Sequence, residues 1–497
     1  MRATCYAQNS LVCLRSWLFL HTRSWLCPSV PLRHRLSRSH GDCVKAARLI
    51  ISLMPSATAG YSASSPCGSA GIYRITAIVT GALAVVPGGD VVWSLAGLLV
   101  GQLVGAALMA LHAVQGPRLG LPQMITCRSQ FGIYGAAIPL VLACIMYVGF
   151  SASGTVLAGQ ALAHLVNVSD RSGMMIFALI IIVVAMPGYR LIHALGRVAS
   201  VVGVLAFVYL FARLLLENDL SGLWDNRHFS LPMFLLAVSL ASSWQIAFCP
   251  YVSDYSRYLP RTVSAHSTFL AVFCGSVLGA QASMTLGVMA AALAGSAFSG
   301  NEVGYIVGLG SGGMMALVLY FAICFGKITF TTLNAYGSFL SLATIVCGFR
   351  QRAAIGEGMR MLFIVLMVLI SCGIAILSQP SFLKSFTHFL LFLLIFFVPW
   401  SAINLTDYYF VSRGQLNMAA LSDPDGCYGR WNAVGMSTYA LGVLVQLPFA
   451  ANEFYRGVLV GWFAGNDISW LIGWVFTALC WLVVSRWRGE TVGCSSR

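Results

Sequence analysis

Charged residues are scarce in this chain of 497 residues. Lysine, arginine, aspartate and glutamate together make up 9% of it, whereas hydrophobic residues make up 58%. Soluble domains carry roughly 25% charged residues, so a soluble protein of this composition would expose far too much apolar surface. The composition therefore predicts a helical membrane protein with many spans.

Regular alternation of polar and apolar residues is also lacking, which argues against a transmembrane β-barrel. The apolar runs are continuous and about 20 residues long, the length that a helix needs to cross a bilayer. Cysteine is plentiful, with 15 residues, but no Cys-x-x-Cys pair occurs. The sequence therefore indicates neither a zinc site nor a disulfide framework, and we expect no metal and no cofactor.

A catalytic set is missing as well, so the sequence does not indicate an enzyme. The glycine-rich run 308–313 lies at the entrance of an apolar segment, and no Lys-Ser/Thr pair follows it as in a phosphate-binding loop. The net charge of +14 is more typical of basic cytoplasmic loops in a membrane protein than of a nucleic-acid-binding surface.

The first 72 residues differ in composition from the rest. Up to about Tyr73 the chain holds seven arginines and a single acid, Asp42. An organellar targeting peptide has this character, but a mis-assigned start or a reading-frame error explains the segment slightly better. We expect residues 1–72 to be poorly ordered or non-native, residues 73–488 to form the membrane domain, and residues 489–497 to form a cytoplasmic tail.

Twelve apolar segments follow, separated by clusters of Gly, Pro, Asn, Asp and Arg. They cover about 75–88, 91–114, 134–165, 173–189, 194–216, 231–250, 267–295, 312–347, 360–378, 385–404, 436–452 and 467–485. Arginines are concentrated in the even-numbered connections and in the C-terminal tail. The positive-inside rule therefore predicts a multi-pass protein of the plasma or inner membrane with both ends in the cytoplasm.

Residues 240–261 begin as an apolar helix and then carry Trp244, Gln245 and Pro250. A proline of this kind breaks or kinks a helix. A break inside a membrane span frees backbone groups, which are tolerated only where they line a cavity or are buried in protein. Because secondary transporters hold substrate at such breaks, we predict that this segment forms half of a substrate site.

Polar and aromatic residues inside other spans are candidates for the rest of the site, since polar groups are costly in a bilayer. The ring of Phe150 can stack on a flat ligand. Gln245 offers two donors and one acceptor, which suit the amide-like edge of a heterocycle. Trp244 offers a stacking face, with an interfacial aromatic belt as the alternative interpretation.

One face of the 312–347 segment is polar. It carries, at helical spacing, Lys327, Thr331, Asn334, Ser338 and Ser341. This spacing predicts that the face points into the helix bundle. A lysine near mid-membrane pairs, loses its proton or snorkels to the interface. Two interpretations of Lys327 have equal weight. Either its ammonium group has a functional role, in which it can substitute for an ion, or its side chain snorkels to the interface from a deep position.

The chain resembles the purine–cytosine permease branch of the nucleobase:cation symporter family in four stretches: GPRLGLPQMITCRSQFGIYGAAIPL (116–140), QIAFCPYVSDYSRYLPR (245–261), LNAYGSFLSLATI (333–345) and FVPWSAINLTDYYFVSRG (397–414). The resemblance extends in register from about residue 76 to residue 481. It implies an all-α integral membrane fold of about 12 transmembrane helices, in which a leucine-transporter-like 5+5 inverted repeat precedes two C-terminal helices.

The resemblance also implies a site, because the broken first and sixth helices of that family flank the substrate and the third and eighth complete its pocket. The residues assigned to substrate in this way are Tyr147, Phe150, Trp244, Gln245, Thr331 and Asn334. Those assigned to ion coupling are Lys327, Thr329 and Thr331. The coupling ion is left as H+ or Na+, and the ammonium group of Lys327 in the place of sodium would favour H+.

The sequence thus predicts a symporter, a secondary active transporter that imports cytosine, a purine or a related flat heterocycle by alternating access. Its expected partners are that substrate, the coupling cation and the lipid bilayer, without nucleic acid, and a monomer is the default. The alternative is an inactive or sensor-type remnant of such a permease, because residues 67–74 do not match the start of the family's first helix. A membrane-embedded enzyme is a third hypothesis, which the missing catalytic set disfavours.

Overall fold

The computed structural model describes residues 75–186, 189–225, 228–310, 312–350, 356–418, 420–451, 455–463 and 467–487. The expectations for residues 1–72 and 489–497 lie outside these ranges. Within them the regular structure is helical, apart from one isolated β-bridge between Ala451 and Arg456.

Fourteen α-helices of eight residues or more occur in the described residues. They are α1 Ile75–Ala82, α2 Val91–Leu119, α3 Ala137–Val166, α4 Asp170–Ala185, α5 Tyr189–Glu217, α6 Leu231–Ile246, α7 Cys249–Ser256, α8 Ala265–Ala294, α9 Glu302–Gly310, α10 Gly313–Arg350, α11 Glu357–Ser378, α12 Phe382–Thr406, α13 Ala433–Leu444 and α14 Ser469–Trp487. Two short helices, Gln123–Thr126 and Arg128–Phe131, lie between α2 and α3, and a π-helical segment, Asp407–Val411, continues α12.

Polar residues and glycine mark several helix ends. The carboxylate of Asp90 accepts a hydrogen bond from Trp93 N at 3.0 Å and so caps α2. The hydroxyl of Ser264 does the same for Ser267 N at the start of α8. α2 ends at Gly120, whose φ of 70° lies in the left-handed region that glycine adopts without strain.

The twelve predicted apolar segments correspond to helices. The segment at 231–250 becomes the pair α6 and α7, and the other eleven become α1 to α5, α8 and α10 to α14. By length and composition, eight stretches of the described residues could each cross a bilayer, and one of them joins α11 and α12. The helices α1, α4 and α13 are shorter.

The packing of the helices repeats after five spans. α2 packs on α6, and their counterparts in the repeat, α8 and α1, also pack together. In the same way, the contacts of α3 with α4 and α11 match those of α10 with α11 and α4. The packing of α5 on α10 matches the packing of α12 on α3. Because an odd number of spans reverses the direction of the chain, the second half has the opposite orientation. The predicted 5+5 inverted repeat is therefore confirmed, and α13 and α14 pack outside it against α12.

The backbones of α1 and α8 are in direct contact at two glycines. A Cβ atom at Gly81 would lie 2.1 Å from Met284 O, and one at Gly287 would lie 1.7 Å from Ile78 O. Small residues of this kind let membrane helices approach closely and gain van der Waals contact. α1 and α8 therefore fit together only as long as both positions lack a side chain.

A second close approach joins α2 to α6. Gly97, Gly101 and Gly105 lie four residues apart on one face of α2, where added Cβ atoms would lie within 2.9 Å of α6. The first two face the carbonyl groups of Phe234 and Val238. The helices α1, α2, α6 and α8 are thus joined by two tight contacts and by the packing of α8 on α2.

The Gly287→Ala substitution is expected to destabilise the protein, because the new methyl group would collide with backbone atoms of α1. Overpacking of this kind costs about 1–3 kcal/mol. The matched control is Gly373→Ala on α11, where an added Cβ meets no atom within 4 Å. Thermal unfolding in detergent, followed by size-exclusion chromatography, should show a lower midpoint for the first variant alone. Equal midpoints would contradict the close contact.

Candidate functional site

The predicted break in the sixth span is present. α6 ends at Ile246, α7 begins at Cys249, and the turn between them consists of the buried residues Ala247 and Phe248. Pro250 lies in the first turn of α7, where its missing N–H group would have no helical partner in any case. The freed backbone is therefore enclosed by protein, as a break within a membrane span requires.

Four aromatic rings surround this break, and we call them the aromatic cluster: Phe150, Trp244, Phe248 and Phe389. The ring of Phe150 lies edge-on to Trp244 with centroids 5.9 Å apart, and nearly parallel to Phe248 at 6.3 Å. Phe389 of α12 contacts Phe150 edge-on at 5.3 Å. The cluster thus joins α3, the α6–α7 break and α12, and its faces can hold a flat apolar ring.

α10 runs antiparallel to α3 along the other side of the site. The Cys144 thiol donates to Ser338 O at 3.7 Å, and the Cys324 thiol donates to Ala158 O at 3.5 Å. The middle of α3 therefore lies at the level of residues 327–334 of α10.

Tyr147 lies on the same side of α3 as these contacts. A Cβ atom at Gly337 would lie 2.5–2.8 Å from atoms of its ring, so the ring covers the backbone of α10 one turn beyond Asn334. The ring centroid lies 5.6 Å from that of Tyr251 on α7. Tyr147 therefore bridges the eighth span and the second half of the broken span.

The polar face of α10 is buried, as the spacing predicts. Its five side chains are at most 6% exposed. In the described structure, three polar atoms on the facing sides of α3 and α10 have no hydrogen-bond partner, namely Ser151 Oγ, Thr331 Oγ1 and Asn334 Nδ2, and Trp244 Nε1 in the aromatic cluster has none either. Buried polar atoms are nearly always paired, so a molecule with complementary donors and acceptors would stabilise this region.

Lys327 reaches into the interior rather than to the surface. It is 5% exposed, and its Nζ atom donates a hydrogen bond to Thr76 Oγ1 of α1 at 3.2 Å. A Cβ atom at Gly154 would lie 3.6 Å from that Nζ atom and 3.2 Å from Thr331 Oγ1. The ammonium group thus lies where α1, α3 and α10 meet, one turn from the unpartnered hydroxyl of Thr331.

Thr329 is buried, and its hydroxyl oxygen has no partner in the described structure. Thr329 lies two residues from both Lys327 and Thr331, which corresponds to about 200° of rotation around the helix. Thr329 therefore does not share the face of Lys327 and Thr331.

Gln245 points away from the aromatic cluster, although it directly follows Trp244. Its Nε2 donates to Gln102 Oε1 of α2, and its Oε1 accepts from Ser276 Oγ of α8 at 2.6 Å. Gln102 in turn donates to Met284 Sδ at 3.0 Å. The structure therefore places Phe150 and Trp244 together at the α6–α7 break, Tyr147 between that break and α10, and Thr331 and Asn334 on the buried face of α10, whereas the amide of Gln245 joins α6 to α2 and α8.

Sequence reasoning missed three residues of this region. Phe389 lies in a segment so rich in phenylalanine that no single ring stands out. Phe248 lies two residues before Pro250, and this position next to a predicted break is a signal that could have identified it. Ser151 was visible as a polar residue next to Phe150, but helix packing explains a serine in a span equally well.

Replacements of Gln245 and Asn334 by leucine are expected to differ in their effect on stability. Gln245→Leu removes two buried hydrogen bonds, the one that Gln245 donates to Gln102 Oε1 and the one that it accepts from the Ser276 hydroxyl, at about 1–3 kcal/mol for each. Asn334→Leu removes a donor that has no partner, so its effect should be small or stabilising. Thermal unfolding of both variants without ligand provides the comparison. An equally large loss for Asn334→Leu would contradict the assignment of an unpartnered amide.

The comparisons with known proteins agree with this architecture. A family model described as "permease for cytosine/purines, uracil, thiamine, allantoin" matches residues 69–473. A Bacillus subtilis protein provisionally named as the purine-cytosine permease YxlA is 34% identical over 418 residues, which are 84% of this chain and 90% of that protein. The purine-cytosine permease fcyB of Emericella nidulans is 24% identical over 401 residues, 77% of this chain and 76% of that protein.

Two solved structures have the same fold. One is Mhp1, a nucleobase-cation-symport-1 family transporter, in a closed conformation with bromovinylhydantoin bound. It gives a TM-score of 0.67 at 19% identity and covers 91% of this chain and 94% of its own. The inward-facing conformation of Mhp1 gives 0.65 at 19% identity, with 87% and 92% covered. The expected leucine-transporter-like fold is thereby confirmed.

Proposed function

Because the chain belongs to the family of permeases for cytosine and purines, uracil, thiamine and allantoin, we propose that it imports a nucleobase such as cytosine or a purine, or a related flat heterocycle. The observation that carries the substrate class is the aromatic cluster beside the unpartnered polar atoms of α3 and α10. A nucleobase has two apolar faces and a polar edge, and this region offers partners for both. The family is one of membrane-embedded permeases, not of enzymes.

The base stacks on the ring of Phe150, with Trp244 and Phe248 beside it. Stacking of a base on an aromatic side chain contributes about 1–3 kcal/mol. The amide of Asn334 and the indole of Trp244 donate hydrogen bonds to ring nitrogens or carbonyl oxygens of the base. The hydroxyl group of Thr331 either donates or accepts, and each such bond adds about 0.5–1.5 kcal/mol.

Transport follows from the position of this pocket at a helix break. In transporters built from inverted repeats, one group of helices moves against the other around a central site. Phe389 supports such a motion here, because its ring packs over Gly149 of α3 and against Phe150. A movement of α12 would uncover the base without any change within α3.

Coupling is assigned to Lys327 and to the hydroxyl groups of Thr329 and Thr331, of which Thr331 shares the buried face of Lys327 and Thr329 does not. The ammonium group of Lys327 takes the place of a bound sodium ion beside α1, so the coupling ion is H+ and not Na+. The hydrogen bond from Lys327 to Thr76 supports this role, since it joins the ammonium group of α10 directly to α1. The carrier acts as a monomer in the plasma or inner membrane, with both termini in the cytoplasm.

An inactive or sensor-type remnant is the second candidate, and it is less favoured. The relatives that match most of this chain are named as permeases. Uptake by the full-length chain distinguishes the two, because a remnant binds without concentrating its ligand.

Uptake of radiolabelled cytosine or adenine should be saturable and should be inhibited by other flat bases in a competition panel. Phe150→Ala is expected to raise the KM by about 5- to 150-fold, the equivalent of the stacking free energy, and Asn334→Ala by about 3- to 10-fold. The matched control is Phe321→Ala on α10, because Phe321 is 55% exposed on the outer surface. Unchanged saturable uptake by the Phe150→Ala, Asn334→Ala double variant would refute the site.

Lys327→Met should abolish concentrative uptake and leave exchange of labelled for unlabelled base intact, because exchange needs no net movement of the coupling ion. Proteoliposomes with an imposed pH gradient or an imposed sodium gradient separate the two ions. If uptake by the unmodified protein followed the sodium gradient and ignored the pH gradient, the coupling role of Lys327 would be abandoned.

A further inference from the structure

A second set of buried polar side chains lies apart from the candidate site. We call it the polar hub, and it consists of His112, Gln115, Gln123, Ser253, Ser401 and Asn404. Each of these side chains is at most 1% exposed. They come from α2, the short helix Gln123–Thr126, α7 and α12. The hub therefore joins the second half of the broken span to three other elements.

The hydrogen bonds of the hub define the protonation state of His112. Its Nε2 lies 2.9 Å from Ser401 Oγ, and its Nδ1 lies 3.2 Å from Gln123 Nε2. An amide nitrogen is a donor and not an acceptor. Nδ1 therefore accepts the hydrogen bond and carries no proton, and Nε2 carries the single proton of a neutral ring.

The orientation of the Gln123 amide is determined by its other partners. Its Oε1 accepts from the hydroxyl of Ser253 on α7. Its Nε2 lies 3.2 Å from Gln115 Oε1 and 3.3 Å from Asn404 Oδ1, so that these two oxygens and His112 Nδ1 share its two N–H groups, and Gln115 Nε2 donates to the same Asn404 oxygen at 2.9 Å. To turn the Gln123 amide, both neighbouring amides must turn as well. A second proton on His112 would thus face a donor and disturb the whole set.

Charged groups around the hub do not compensate a protonated ring. On α7, Asp254 accepts a hydrogen bond from Gln123 N at 2.8 Å and Arg257 follows one turn later. On the α12 side, Trp400 stacks on the His112 ring at 5.0 Å and donates to the thiol of Cys127 at 3.0 Å. In the described part of the chain, no carboxylate oxygen forms a hydrogen bond with the ring. A positive charge there would be desolvated and unpaired.

We propose that His112 is a proton-binding site that controls the position of α7, because Nδ1 binds a proton only when the polar hub opens. The contact at stake is direct, since the Ser253 hydroxyl of α7 also lies 2.8 Å from the backbone oxygen of His112, and the two acceptors share its single proton. Opening of the hub releases α7 from α2 and α12 and exposes the ring to water.

The sign of the pH dependence follows from linkage. The open hub binds one more proton than the closed hub, so a lower pH favours the open form. The ratio of open to closed forms changes by up to about tenfold per pH unit. The proposal does not depend on which solute is carried, and uptake measurements on Phe150 and Asn334 test the transport function separately.

Hydrogen–deuterium exchange of the full-length protein in lipid nanodiscs tests the proposal. Amides of α7 and of residues 123–131 should exchange faster as the pH falls from about 8 to about 5, the range in which histidine titrates, after correction for intrinsic exchange. In His112→Gln this pH response should be absent. The matched control, His266→Gln, replaces an exposed histidine at the start of α8 and should behave like the unmodified protein. An equal pH response in His112→Gln and the unmodified protein would overturn the proposal.

Gln123→Glu provides a second test, which does not depend on how well a variant without His112 folds. The new carboxylate faces Nδ1 in the closed hub and stabilises a protonated ring there, so the closed hub also binds the proton and the increase in exchange at low pH should become smaller or disappear. Protection of the α7 amides at about pH 8 shows that the variant is folded. An increase in exchange at low pH equal to that of the unmodified protein would overturn the proposal.

Discussion

The main constraint on this structure is that a bilayer offers no water to the backbone. A helix that crosses it must satisfy its N–H and C=O groups internally, and a break is tolerated only inside protein. At the α6–α7 break the N–H groups of Ala247 and Phe248 donate to Ser243 O and Gln245 O at 2.9 and 3.1 Å. Helices from both halves of the repeat enclose this turn, so the place where the backbone is interrupted is also the place where polar and aromatic side chains can meet a ligand.

The two polar regions illustrate different uses of buried hydrogen-bonding groups. In the hub, each amide orients the next, and the hydrogen bonds hold four elements together. Around α3 and α10 the polar atoms are left without partners, which is unfavourable in a substrate-free protein and useful in one that binds a polar molecule. Buried networks with all partners present rigidify a structure, whereas unpartnered groups mark where it exchanges contacts with something else.

Much of the fold could be predicted from the sequence, because a bilayer requires long apolar segments and leaves few alternatives. The twelve segments correspond to helices, and the spacing from Lys327 to Ser341 identified the buried face of α10. The direction of Gln245 could not be predicted, since adjacent residues on a helix differ by about 100° and either could face a ligand. The hub could not be predicted either, because His112, Ser253 and Asn404 are far apart in sequence and form one network only after three spans have packed. A signal for close packing was present in Gly97, Gly101 and Gly105.

The glycine contacts have a mechanical consequence. Where backbone touches backbone, as at Gly81 and Gly287, two helices cannot slide past one another without a clash, so α1 and α8 travel as one body, together with α2 and α6. The helices α3, α4, α10 and α11 form a second body by their mutual packing. The hydrogen bond between Lys327 and Thr76 crosses the seam between these two bodies. A charge placed at such a seam is affected by any relative displacement of the two groups of helices.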